Sequence, residues 1–321
     1  MVETDVHYPT DSNLLFDAIR KVISFSVKLC KEAGLSDFRQ SKHNMKKVKR
    51  SFNYVRRLHY SKSKNEKKKQ VQKLKIENAY REYMAICTTF IQKAEKAITS
   101  VLLGTDVRTW VYIQETKRFI VHAKRQIDQI DRRVLKGEKI PYEEKVFSLF
   151  EEHTEWISKG KAGVPQELGV RVAVIEDQYR FILNHKVMYK TTDEKITVPF
   201  IRETKELYPD LKSCSFDKGF YSPGHWEKLE KIIEFSILPK KGKLSGKDKE
   251  RETESLFLQE RKRHPGIESA INALENHGLD RCPDHGFEGF DRYISLAVLG
   301  RNLQNLGRIL QNQENKIRKT G

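Results

Sequence analysis

Long apolar runs are absent from these 321 residues. Nowhere do about 18 apolar residues follow one another, so the sequence encodes no bilayer-spanning helix, and its start lacks the apolar core of a secretory signal. Cysteine is scarce. Cys30, Cys87, Cys214 and Cys282 lie far apart without a CxxC pair, which argues against a disulfide framework and for reduced thiols. Acidic residues are in deficit, 44 Asp and Glu against 61 Lys and Arg, for a formal net charge of +17. Such an excess implies a polyanionic partner, nucleic acid before an acidic membrane surface. No internal repeat is visible. The expectation is a soluble, cytoplasmic, basic protein with room for two domains.

Two textures divide the chain. From about Leu14 to Phe150 it reads as helical. Leu14, Leu15, Ala18, Ile19, Val22 and Ile23 share one stripe, with Thr10, Asp11 or Ser12 available as the cap, Asp11 being the better reading. Between Lys42 and Lys75 stand fourteen Lys or Arg against one acidic residue, Glu66, with Phe52, Tyr54, Val55, Leu58 and Tyr60 interleaved. This run is either a solvated helical face or, as the net charge favours, a surface that follows phosphates without reading sequence. Helical patterns continue from about Ile76 to Leu103 and from about Val107 to Val134.

After Trp156 the texture becomes α/β. Val170 to Glu176 and Tyr179 to Tyr189 read as a hairpin across Asp177-Gln178, and Thr197 to Leu207 as a helix ended by Pro209. The run before Asp217 in SFDKGFYSPGHWEKL has no helical period, and Ser222-Pro223 looks like the cap and first position of a helix reaching about Ile232. Asp217 would then end a strand and face the start of a helix, where open α/β sheets place chemistry. Capping of a turn is the plainer alternative. A short strand from Ile233 to Leu238 follows, then a basic loop holding Lys240, Lys241 and Lys243 that stays polar to about Thr253. A last long helix runs from about Glu288 to Lys316.

In RHPGIESAINALENHGLDRC, Pro265 and Gly278 suit the start and stop of a helix. Ile267, Ala270, Ile271 and Leu274 form an i, i+3, i+4, i+7 stripe expected to be buried, with Glu268 at its edge. A carboxylate so placed would be partly desolvated and would need a partner, for which a metal ion is one candidate. An ordinary first-turn glutamate is the alternative. A strand-end aspartate with a later helix-borne glutamate suits two-metal phosphodiester chemistry, in which two hard cations roughly 3.5–4 Å apart act on the attacking and leaving oxygens. His277, Cys282 and His285 lack the paired spacing of a zinc site, and His153 reads as a packed or capping histidine rather than a catalytic base.

Four stretches together resemble a known family: VETDVHYPTDSNLLFDAIR, HTEWISKGKAG, SFDKGFYSPGHWEKL, and IESAINALENHGLDRCPDHGF with RYISLAVLGRNLQNLGRIL. The chain is similar to DDE-type insertion-sequence transposases with an RNase H-like catalytic domain, most nearly the group called ISNCY. The resemblance implies Asp217 and Glu268 as catalytic carboxylates that bind Mg²⁺ or Mn²⁺, and double-stranded DNA as partner. It also implies a nucleoid-associated location and a homo-oligomer when active. Lys159, Lys161, Lys240, Lys241 and Lys243 become candidate phosphate contacts. The implied fold is α/β, an RNase H-like mixed sheet with flanking helices. Residues 1–11 would be the remainder of the first strand, 12–150 a basic helical insertion after it, and 151–321 the catalytic domain. In related sequences the first catalytic aspartate precedes the segment matching VETDVHYPTD, about two residues upstream of Met1; Asp5 lies an odd offset away and would face the other side of the strand. The expectation is that the protein begins further upstream or is a remnant with little activity.

Overall fold

The computed structural model describes residues 1–60, 66–101, 106–158 and 166–320. It is a mixed α/β protein that divides into two compact units, Met1–Val6 with His153–Gly321 and His7–Glu152. No described helix is long and apolar enough to cross a membrane.

The unit His7–Glu152 is helical: α1 (Asp11–Glu32), α2 (Ser41–Tyr60), α3 (Glu66–Thr99) and α4 (Val107–Ile130). The α1 stripe from Leu14 to Ile23 is buried against Val48, Phe52, Tyr83, Phe90 and Phe119. Thr10, not Asp11, caps α1, its hydroxyl accepting from the Asn13 N–H at 3.1 Å. Asp11 instead pairs with Arg133 at 2.9 Å. Burial lifts the Asp11 carboxyl above its usual range, and Arg133 partly opposes this. α3 begins ten residues before the apolar period at Ile76, because its first three turns are polar.

In the other unit, β3 (Gln166–Glu176) organises a five-stranded mixed sheet. Its first half pairs antiparallel with β2 (Glu155–Ser158) and with β1 (Val2–Thr4), placing Val2 opposite Val170 and Glu3 opposite Gly169. Its second half pairs antiparallel with β4 (Ile182–Met188). The hairpin turn is longer than Asp177-Gln178: Asp177 Oδ1 accepts from the Tyr179 and Phe181 N–H groups, and Arg180 takes a positive φ.

Along β3 the side chains alternate between two cores, as strand geometry requires. Ala173 and Ile175 join Ile196, Phe200 and Ile201 of α5 (Asp193–Leu207). Val172 and Val174 join Phe290, Ile294 and Val298 of α10 (Gly286–Thr320). After α5 come β5 (Ser213–Ser215), α6 (His225–Leu229) and β6 (Phe235–Ile237), with β5 and β6 forming a separate parallel pair.

The helix expected from Pro223 to Ile232 shrinks to α6. Ser222 to Gly224 form a turn closed by His225 N–H to the Ser222 carbonyl at 3.2 Å, and Gly224 adopts φ 77°. The loop expected up to Thr253 contains α7 (Gly246–Thr253), followed by α8 (Ser255–Arg263) and α9 (Gly266–Leu274). α7 has no apolar face. A Ser245/Asp248 capping box starts it, and Arg251 stacks 3.6 Å from the Trp226 ring centroid. β7 (Arg281–Cys282), unforeseen because it is two residues long, pairs parallel with β1.

At Gly169 an added Cβ would collide with the Val2 carbonyl oxygen. Gly169→Ala should therefore destabilise the protein by about 1–3 kcal/mol, read as a lower midpoint in urea denaturation.

Candidate carboxylate site and basic helix

β5 is three residues long, and one further backbone bond, Phe216 N–H to the Ile237 carbonyl at 3.0 Å, prolongs its pairing. Asp217 follows at once and is exposed. Its Oδ1 accepts from the Lys218 N–H at 2.8 Å and caps the 3₁₀ turn Lys218–Phe220. Both readings of Asp217 hold together: it ends the strand and it caps the turn.

The junction of α8 and α9 docks on this strand end. Arg261 Nη1 donates to the Phe216 carbonyl at 2.7 Å, and His264 Nδ1 lies 3.0 Å from the Ser215 hydroxyl. Glu268 stands in the first turn of α9, its N–H donating to the Pro265 carbonyl at 3.1 Å. Burial, then the Arg261 guanidinium, push His264 below the usual histidine range; the Asp217 and Glu268 carboxylates both oppose that shift. Two carboxylates fifty-one positions apart in sequence thus lie within electrostatic reach of one imidazole.

Glu268 does not match its expected surroundings. It is exposed, and the stripe beside it is only partly buried: Ala270 and Leu274 are covered, Ile267 is half-buried and Ile271 is 37% exposed. A helix of nine residues meets its core through a narrow line, so the edge of the stripe stays in solvent. Gly278 does end the helical run, with φ 103°.

The structure adds residues that carry no local mark in the sequence. Asp193, at the start of α5, is influenced by Asp217: burial raises its pKa, Arg171 at 3.8 Å lowers it, and Glu194 and Asp217 add to the rise. Nothing around Asp193 in the chain points to Asp217 as a neighbour, because the approach is tertiary. His264 and Arg261 sit just before Pro265, and their basic spacing was the only available sign.

Magnesium and manganese need hard oxygen donors, and Asp217 and Glu268 are two of the right kind. Among the described residues, no three His, Cys, Asp or Glu side chains gather closely enough to hold a metal ion. That holds equally for His277, Cys282 and His285. His153 is buried and packs edge-on against Phe290, with ring centroids 5.2 Å apart.

The candidate phosphate contacts divide. Lys159 and Lys161 lie outside the described residues. Lys240 forms an ion pair with Asp248, a carboxylate also bonded by Ser245, and its backbone N–H donates to Glu252 at 2.7 Å. Lys240 is therefore engaged in holding the start of α7. Lys241 and Lys243 are exposed.

In the helical unit, α2 carries Lys42, Lys46, Lys47, Lys49, Arg50, Arg56 and Arg57 and no acidic residue. None of the seven joins an ion pair among the described residues. Lys46, Lys49, Arg50, Asn53, Arg56 and Arg57 line a cleft of about 690 Å³. Elsewhere in the unit several cations are matched: Lys124 with Glu95 at 2.6 Å, Arg118 with Glu152 at 2.6 Å, and Lys136 with Asp131 at 2.7 Å.

If Asp217 and Glu268 both act on His264, Asp217→Asn and Glu268→Gln should each lower its titration midpoint in an NMR pH series. An unmoved midpoint in either variant would separate that carboxylate from the site. No protein family, no curated protein and no solved structure matches this chain.

Proposed function

We propose that this protein is a DNA transposase of the DDE type. It would hydrolyse a phosphodiester bond at the end of a mobile element, and the freed 3′-hydroxyl would then attack a phosphodiester of target DNA, joining the element end to the target strand and releasing a target 3′-hydroxyl. The observation that carries this reading is the docking of the helix start that bears Glu268 on the strand end that bears Asp217, through Arg261 to the Phe216 carbonyl and His264 to the Ser215 hydroxyl, with both carboxylates exposed to solvent. An RNase H-like catalytic unit is supported by the element order: β1, β3 and β4 run antiparallel side by side, α5 follows, and the parallel β5–β6 pair precedes the helix that bears Glu268.

In this reading the residues have distinct tasks. Asp217 and Glu268 present carboxylate oxygens to the reacting phosphate region. Mg²⁺ or Mn²⁺ on those oxygens would supply Lewis-acid polarisation of the phosphoryl group and an activated attacking oxygen. Arg261 and His264 act as positioning residues, since they tie the start of α9 to the end of β5. The unpaired cations of α2 supply sequence-independent attraction for the duplex.

Asp217→Asn should abolish strand transfer while leaving duplex affinity within about twofold of the parent. Loss of DNA binding in that variant would remove Asp217 from the chemistry. Lys46→Glu, Lys49→Glu and Arg50→Glu combined should weaken binding and flatten the log–log salt slope by roughly 0.9 for each phosphate no longer neutralised.

A second reading is a non-catalytic DNA-binding protein that occupies element ends and represses transposition. It is favoured by the unpaired α2 cations together with the lack of a gathered three-ligand set among the described residues. It predicts salt-sensitive binding and no cutting of end-containing DNA in Mn²⁺.

A further inference from the structure

α10 carries two stripes with opposite fates. On one, Phe290, Ile294 and Val298 are buried in the sheet core. Asn302 continues that side by bonding both the N–H and the carbonyl of Ile182 at 2.9 Å, and Asn305 donates to the Tyr179 carbonyl at 2.8 Å. On the other, Leu296, Leu299, Leu303, Leu306, Leu310 and Ile317 are 43–71% exposed. At 100° per residue the two stripes lie about 140° apart, so the leucines point away from the body that α10 covers.

The exposed positions alternate in steps of three and four residues, the a and d positions of a heptad repeat, and only Gln313 interrupts them. A helix that merely covers a core spreads its apolar residues over a wider arc. A strict a/d line is the pattern that fits another helix of the same kind, knobs into holes, and it extends about 32 Å from Leu296 to Ile317. Gly300 and Gly307 flank the line with open space around them, which leaves room for a second helix to approach closely. Covering these six side chains removes on the order of 500 Å² of apolar surface per copy. That approaches the roughly 800 Å² per partner of a specific interface, and a patch of this size on a monomer is often functional.

We propose that this seam binds the same seam of a second copy, forming a parallel two-helix coiled coil. The direction follows from Gln313. In a parallel pair Gln313 faces Gln313 of the other copy, and the two amides can bond each other. In an antiparallel pair centred on Leu306 it faces Leu299 and its amide is left without a partner. The inference does not rest on the proposed DNA chemistry, and it requires neither metal nor nucleic acid.

Sedimentation of the intact chain without DNA, at tens of micromolar, tests it. The expected result is a species of twice the 37.6 kDa chain mass. Leu303→Glu with Leu310→Glu should convert it to a folded monomer whose thermal midpoint no longer depends on protein concentration, since both side chains are exposed within one copy. Gln313→Cys should crosslink the dimer under mild oxidation, which only the parallel direction allows. A monomeric parent, or a dimer that survives the double replacement, overturns the proposal. So does a double variant whose thermal midpoint falls below that of the parent diluted to monomer, because the seam would then be covered by its own chain. A dimer that the replacements break but that Gln313→Cys fails to crosslink overturns the parallel direction.

Discussion

The ladder between Val2–Glu3 and Gly169–Val170 is the constraint on which the architecture depends. It seats the first residues of the chain inside the sheet of the second half, so the helical unit leaves after β1 and returns at β2, the two strands that flank β3. The strand is short but held from several sides. Val2 is buried, Glu3 N–H donates to the Asp280 carbonyl at 2.7 Å, and the Thr4 and Thr154 hydroxyls meet at 2.8 Å. Closing so long an excursion costs little more than closing a shorter one, because loop entropy grows only with the logarithm of length. The close approach at Gly169 is what permits the pairing.

Elements with strong local signals were legible in the sequence. The α1 stripe has one period and one nearby cap; only the identity of the capping residue was misread, since three adjacent side chains can all accept. The β3–β4 hairpin was legible because its strands are rich in Val and Ile. What stayed hidden was tertiary or too brief to carry a pattern. α7 is stabilised by a capping box and a guanidinium over an indole, neither of which leaves an apolar period. α6 was overextended because Gly224 resets the backbone just after Pro223. Asp217 could be placed at a strand end from composition alone. Its relation to Asp193 and His264 could not, because those neighbours arrive through packing.

Charge is arranged unevenly. On α4 and the segment after it, Lys124, Arg132 and Lys136 meet carboxylates at ion-pair distance, and such pairs add modestly to stability. On α2 they meet none, and mutual repulsion along one helix is tolerated without local relief. A helix with seven cations, no acid and a buried underside of Val48, Phe52 and Val55 is well anchored and poorly neutralised. That combination suits attraction of a polyanion by the helical unit, while the carboxylates belong to the other unit.

The central claim is that Asp217 and Glu268 share one metal-dependent site. Fe²⁺ substituted for Mg²⁺, with ascorbate and peroxide, cuts the polypeptide wherever the metal is bound, and the fragments can be mapped by mass spectrometry. The account predicts cuts clustered around both residues 217 and 268, abolished together when either carboxylate is replaced by its amide. Cuts confined to one of the two segments, or unchanged by those replacements, would contradict it.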